Sequence, residues 1–326
     1  METKKIKFGF TIVELLTVMS IIALLIGILV PALNMVRRIA KDTRQRAQFH
    51  SIDVAMEAYA GEMEQYPDST LKLTGGVYTQ GAHHLAEALI GRDFLGLDPW
   101  TTWDAELDKG DPCRYSSTTA PKNTPAADIQ TCLDRRKGPY LKTESVEAFQ
   151  INQLYANITS VYGGTVYPGN LDNAGTIDPT YSPAPVLTDS YRVKTVSVNN
   201  KQVKAGSPIL YYKANATSKL FYNSNPTLSP DGGNGVDDTE AAASIFNSMD
   251  NERLLSLGTI MVQSTLHNFD RDNGGAGAGR MKFYDAITNP KITTQVRPYN
   301  QTSYLLMSAG FDGIFGTPDD IYNYSE

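Results

Sequence analysis

Between Phe10 and Leu33, 18 of 24 residues are hydrophobic, and the 19 residues from Leu15 to Leu33 hold no charge. At 1.5 Å per residue that uncharged stretch rises about 28 Å, close to the hydrocarbon thickness of a bilayer. The preceding Met1–Gly9 carries Lys4, Lys5 and Lys7 against Glu2. Positive charge on that flank keeps residues 1–9 cytoplasmic and sends the following chain across. A secretory signal peptide has a shorter apolar region, about 7–15 residues, ending at a small-x-small cleavage site. Here the run is longer and ends Pro-Ala-Leu-Asn. A plain anchor is disfavoured by Glu14. A carboxylate at the centre of a membrane helix costs about 2.5–3.5 kcal/mol, somewhat less near its end, so it calls for a partner.

Outside this run the chain is polar, Tyr-rich and turn-rich. Its 326 residues are 41% hydrophobic, which excludes a largely disordered chain and leaves material for a real core. The net charge of −6, without long basic runs, makes nucleic acid an unexpected partner. Four histidines are present, and none stands in a recognisable catalytic or zinc motif, so no enzymatic activity is expected.

The residues Lys5-Ile-Lys7-Phe-Gly9-Phe10-Thr-Ile-Val-Glu14-Leu-Leu16 resemble the class III leader of type IV prepilins and type II secretion pseudopilins. The resemblance implies that residues 1–9 are a leader, cut after Gly9 by a prepilin peptidase that then N-methylates Phe10. It places Glu14 at the fifth mature position, where the family keeps a glutamate. The new cationic amine on Phe10 can then pair with Glu14 of a neighbouring subunit. Such a pair in low dielectric fixes subunit register more than it adds net stability. Pro31 falls where many pilins carry proline, and it removes the helical donor to the Gly27 carbonyl. That weak point lets the helix stretch during packing, or else Pro31 simply marks the membrane boundary. Without the leader the net charge becomes −8, because residues 1–9 carry +2.

Beyond Pro31, apolar residues recur at Val36, Ile39, Ala40, Ala47, Ile52, Ala55, Met56, Tyr59 and Met63, mostly at helical steps. Arg37, Arg38, Lys41, Arg44 and Arg46 read as a solvated face and as donors for ion pairs between subunits. Pro67 disfavours helical geometry at Tyr66, so the helix is predicted to end near Gln65, about 84 Å from Phe10 if straight. The Tyr66-Pro67 exit also resembles major pseudopilins.

The expected fold is therefore α+β, a pilin-like lollipop. A helix over 10–66, with 10–33 as its membrane and assembly part, carries a loop-rich antiparallel body over 67–326. Within the body, Gly81–Leu95 reads as a short amphipathic helix with Leu85, Leu89 and Phe94 inward. His83 and His84 read as surface or cap residues. Residues 193–213 read as a small antiparallel sheet, and Thr239–Phe269 as a second helical pattern. If the body is exported, Cys113 and Cys132 pair, stabilising the loop between them by about 3 kcal/mol; otherwise they are free thiols.

Near the C-terminus, Asp312, Asp319 and Asp320 lie in a short stretch bent by Gly313 and Gly316. Converging carboxylates repel unless a cation lies between them, and flexible oxygen ligation favours calcium over magnesium. The segment Ser308-Ala-Gly-Phe-Asp312-Gly, with its later Asp-Asp pair, resembles the calcium loop of major pseudopilins. That implies a structural calcium site within 304–322. A weaker echo contains Asp231, Asp237 and Asp238, and reads equally as a second loop or a turn. Major pseudopilins are typically less than half this long, so the middle resembles an insertion.

The expected function is thus a structural subunit of a type II secretion pseudopilus. Its partners are the prepilin peptidase/N-methyltransferase, copies of itself and other pilin-like subunits, and an inner-membrane assembly platform. Its location is the bacterial inner membrane, single-pass with the body periplasmic, and then a filament. A type IV pilus subunit, a minor tip subunit with an adhesive body, and a membrane-tethered binding or enzymatic domain are the alternatives.

Overall fold

The computed structural model describes residues 11–74, 77–101, 103, 129–142, 146–155, 185–198, 200–221, 238–271, 273–275 and 277–324. It mixes helices with small antiparallel sheets, an α+β fold with one long apolar helix at the N-terminal end. The chain divides into two compact units, Met1–Thr43 and Arg44–Glu326.

The first helix, α1 (Ile12–Met63), begins and ends within three residues of its expected limits and runs through Pro31. In the first unit every residue from 11 to 40 is exposed. In the second unit α1 buries Gln45, Gln48, Phe49, Ile52, Ala55, Met56 and Tyr59, at steps of three and four. The buried stripe differs from the expected one at its start, because Val36, Ile39 and Ala47 are exposed. Two glutamines replace them. The Gln45 Oε1 accepts from Ser190 N at 2.7 Å, and the Gln48 Nε2 donates to Thr188 O at 2.7 Å.

After α1 come β1 (Lys72–Thr74), β2 (Val77–Thr79), α2 (Gly81–Ile90), α3 (Ile129–Asp134), β3 (Glu147–Gln150), α4 (Ile151–Leu154) and β4 (Pro185–Thr188). There follow β5 (Lys194–Val198), β6 (Lys201–Ala205), β7 (Leu210–Lys213), α5 (Asp238–Ala243), α6 (Glu252–Leu255), α7 (Ala278–Ile287), β8 (Tyr304–Ser308) and β9 (Ile321–Tyr322). The expected sheet over 193–213 splits. β5 and β6 form a separate hairpin, while β7 pairs with β8 in the antiparallel order β7-β8-β9.

This three-stranded sheet organises the second unit because its alternate residues face opposite ways. Tyr211, Leu306 and Ile321 join the cluster that holds Phe49, Ile52 and Met56 of α1 with Leu85 and Leu89 of α2. Leu210, Tyr212, Leu305 and Met307 join the cluster with Phe246, Leu254, Phe283 and Tyr284. The core is thus two apolar layers separated by one sheet.

Helix α2 is buried on every residue, which corrects the surface reading of His83 and His84. Burial holds both imidazoles neutral, with pKa pushed down to about 3 for His83 and about 4 for His84. The His84 Nδ1–H donates to Asp68 O at 3.0 Å. α2 stops at Ile90, short of Leu95, because Gly91 turns the chain at φ +79°, and Phe94 is left exposed in that turn. The Thr239–Phe269 pattern is likewise broken. Asn247 accepts from Met249 N and caps a single 3₁₀ turn, Ser248–Asn251, between α5 and α6. Asn251 in turn bridges Ala82 N and Tyr211 O, at 2.9 and 2.8 Å.

Candidate functional site

Two regions carry the residues singled out by the sequence. In the first unit, Ile12, Leu16, Met19, Leu24, Ile28 and Leu29 are each more than 60% exposed. Among the described residues nothing buries this surface, and α1 is long and apolar enough to cross a bilayer. A signal sequence would pass the same length test.

At its start Glu14 has a local role that the sequence reading missed. Thr11 N donates to Glu14 Oε2 at 2.9 Å, and Glu14 N donates to Thr11 Oγ1 at 3.2 Å. This reciprocal pair is a capping box, satisfying donors that a helix start leaves open. The Thr-x-x-Glu spacing announces it. Gly9 and Phe10 lie outside the described residues.

The second region is the connection between β8 and β9, residues 309–320. Its carboxylates hold the loop's own backbone. Asp319 Oδ2 accepts from Phe311 N and Asp312 N at 2.7 and 3.1 Å, while Oδ1 accepts from Thr317 Oγ1 at 2.6 Å. Asp312 Oδ1 accepts from Ile314 N at 2.8 Å. Asp320 Oδ2 accepts from Gly316 N at 2.7 Å and from the Tyr322 hydroxyl at 3.1 Å. Gly310 lets the strand leave β8 beside this staple. At φ +64°, a Cβ there would lie 2.1 Å from Asp319 O.

The electrostatics separate the three acids. The Asp312 and Asp319 carboxylates lie close enough to feel each other's charge. Burial and the Asp319 charge raise the Asp312 pKa. At Asp319 burial is outweighed by Thr317 and by the backbone donors, and its pKa falls. Asp320 is pushed up to about 8, chiefly by burial, and its Oδ1 is buried without a hydrogen-bond partner. The loop thus brings Asp312 and Asp319 together and turns Asp320 toward Gly316 and Tyr322. Among the described residues no three acidic, histidine or cysteine side chains gather as a metal-binding group.

The loop is also tied from outside. Phe315 N donates to His267 Nδ1 at 3.1 Å, and Asn268 N and Nδ2 donate to Phe315 O and Gly316 O at 2.8 and 3.0 Å. His267 is therefore the neutral Nε2–H tautomer, its pKa lowered to about 4 by burial. Cys132 is buried and disulfide-bonded. Cys113, Asp231 and Asp237 lie outside the described residues, and Asp238 opens α5. No family model matches the chain, and no curated protein and no solved structure is similar to it.

Proposed function

We propose that this chain is a structural, pilin-like subunit. It is processed after Gly9, held in a bacterial inner membrane by α1, and assembled through the same helix into a type II secretion pseudopilus or a related filament. The observation that carries the reading is the uninterrupted exposure of α1 from Ile12 to Ala40. Lipid covers such a surface before assembly, and neighbouring helices cover it afterwards. The leader residues and Glu14 add the chemistry of maturation and register. In the assembled state Glu14 exchanges its Thr11 contacts for the methylated amine of a neighbour's Phe10.

A structural calcium at the β8–β9 loop belongs to the same reading. Asp312 and Asp319, side by side, fit two ligands, with the cation offsetting their mutual repulsion and carbonyl oxygens completing its shell. Asp320 is a third candidate only if it turns away from Gly316.

One observation favours a second reading. The capping box accounts for Glu14 without any partner subunit, which leaves a monomeric membrane-tethered body as the competitor. Mass spectrometry of the protein from its native membrane separates a matured subunit from a plain anchor. Maturation predicts a chain beginning at Phe10 with one added methyl group, and an uncut chain for Gly9→Val. An N-terminus at Met1, or a cut elsewhere, would contradict it.

A further inference from the structure

Within the second unit one side of α1 is buried and the other faces solvent. On the solvent side Ala47, Val54, Ala58 and Gly61 follow one another at steps of seven, four and three, so they share one face, and all four are exposed. The sign of charge changes along this face. Arg44 and Arg46 stand at its N-terminal end, exposed, and neither has an ion-pair partner among the described residues. Glu57, Glu62 and, just past the helix, Glu64 are exposed at the other end. Glu57 accepts from the Tyr66 hydroxyl and Glu62 from the Tyr140 hydroxyl, each at 2.8 Å, and a neutral phenol leaves the carboxylate charge in place. Lys137 Nζ stands 3.9 Å from Glu62 with both side chains about half exposed, where an ion pair contributes little.

The spacing of these charges selects an occupant. Arg44 and Glu62 are eighteen residues apart, and Arg46 and Glu64 keep the same separation. Eighteen residues make five whole turns, so Arg44 and Glu62 share an azimuth about 27 Å apart along the helix. Two copies side by side, parallel and level, would set arginine beside arginine and glutamate beside glutamate. An antiparallel pair matches the charges, but chains held by α1 in one membrane all point the same way. A parallel copy displaced by five turns brings Arg44 and Arg46 of one chain level with Glu62 and Glu64 of the next. The small side chains between them let the two helices approach. Such a contact is heterologous, and its repetition builds an open filament.

We propose that this face of α1 docks a second copy of the chain, parallel and displaced by about 27 Å, with Arg44 and Arg46 of one copy against Glu62 and Glu64 of the other. This register rests on the assembly reading above, and the exposed apolar part of α1 does not fix it alone. The test uses the full chain in intact cells. Two differently tagged copies are co-expressed, one with Ala40→Cys and the other with Ala58→Cys, exposed positions eighteen residues apart on α1. A short bismaleimide should join this mixed pair and should not join two copies that both carry Ala58→Cys. Arg44→Glu with Arg46→Glu in both copies should lower the mixed cross-link about tenfold, the effect of two exposed ion pairs at the upper end of their usual strength. Adding Glu62→Arg and Glu64→Arg should restore it. A cross-link indifferent to the arginine reversals, or an equal yield from the level Ala58→Cys pair, would overturn the register. So would a mixed pair left unjoined while a chain with Leu16→Cys and Leu29→Cys still links to its neighbours, a result that leaves assembly standing. Loss of those links as well would remove assembly and register together.

Discussion

Asp319→Ala is the sharpest probe of the β8–β9 loop. The substitution removes an acceptor shared by three donors, Phe311 N, Asp312 N and Thr317 Oγ1. Hydrogen bonds to a charged group contribute about 1.5–3 kcal/mol each when shielded. Asp319 is only half-buried, so water replaces part of each bond, and about 1 kcal/mol per donor is the appropriate scale. The total, about 3 kcal/mol, corresponds to a fall in Tm of about 6–12 °C for a body of this size. Thermal unfolding by circular dichroism in EDTA measures it, with Asp319→Asn, which keeps one acceptor, expected between the two. Calcium at a hundredfold excess over its Kd should add about 2.7 kcal/mol to the parent and nothing to Asp319→Ala. A variant melting within about 1 °C of the parent in EDTA would refute the stapling argument, at under the 2–4 °C expected per kcal/mol. A parent indifferent to calcium would end the metal proposal and leave the stapling intact.

Gly81→Ala places a Cβ 2.1 Å from Tyr211 O, forcing α2 away from β7, and should destabilise the second unit by about 1–3 kcal/mol in urea titration. An unchanged midpoint would mean that α2 docks differently. The His267 pKa is about 4 in the fold against about 6.5 in the unfolded chain, so between these values the unfolded chain binds more protons. The stability held above pH 6.5 is lost as pH falls toward 4, by about 1.4 kcal/mol per pH unit for this group. Buried His83 and His84 act in the same direction, while the raised pKa of buried Asp250 opposes them. The comparison with His267→Gln, whose side chain can still accept from Phe315 N, isolates the one imidazole. The variant's stability should depend less steeply on pH by that amount, and identical slopes would contradict the assignment.

The long helix was legible because its signals are local: an apolar run, helical spacing through Tyr59, and a proline after Tyr66. The loop was half legible. Its glycines and acids marked a tight turn, but the division of labour between Asp319, which holds backbone, and Asp320, which turns to Tyr322, depends on where β9 returns. The errors at polar positions share one cause. His83, His84, Gln45 and Gln48 are polar, and polarity suggests a surface, yet each is buried by packing from distant segments. Helix α7 escaped notice for the same reason. Arg280, Phe283, Tyr284 and Ile287 keep helical spacing, but the stripe opens on a buried arginine paired with Glu252. The partner of β7 was equally hidden, since Leu210–Lys213 reaches across the chain to Tyr304–Met307 and bypasses the adjacent hairpin.

The central claim is that the exposed face of α1 is covered by other copies of α1. Bismaleimide cross-linking in intact cells tests it directly, using Leu16→Cys combined with Leu29→Cys, with the unsubstituted chain as the control for its own cysteines, of which Cys132 is disulfide-bonded. Assembly predicts a ladder of dimers and larger species that disappears when Gly9→Val blocks maturation. Monomer alone, with both engineered thiols still reactive toward a lipid-soluble maleimide, would show that lipid is the helix's only partner and that the chain is a tethered body.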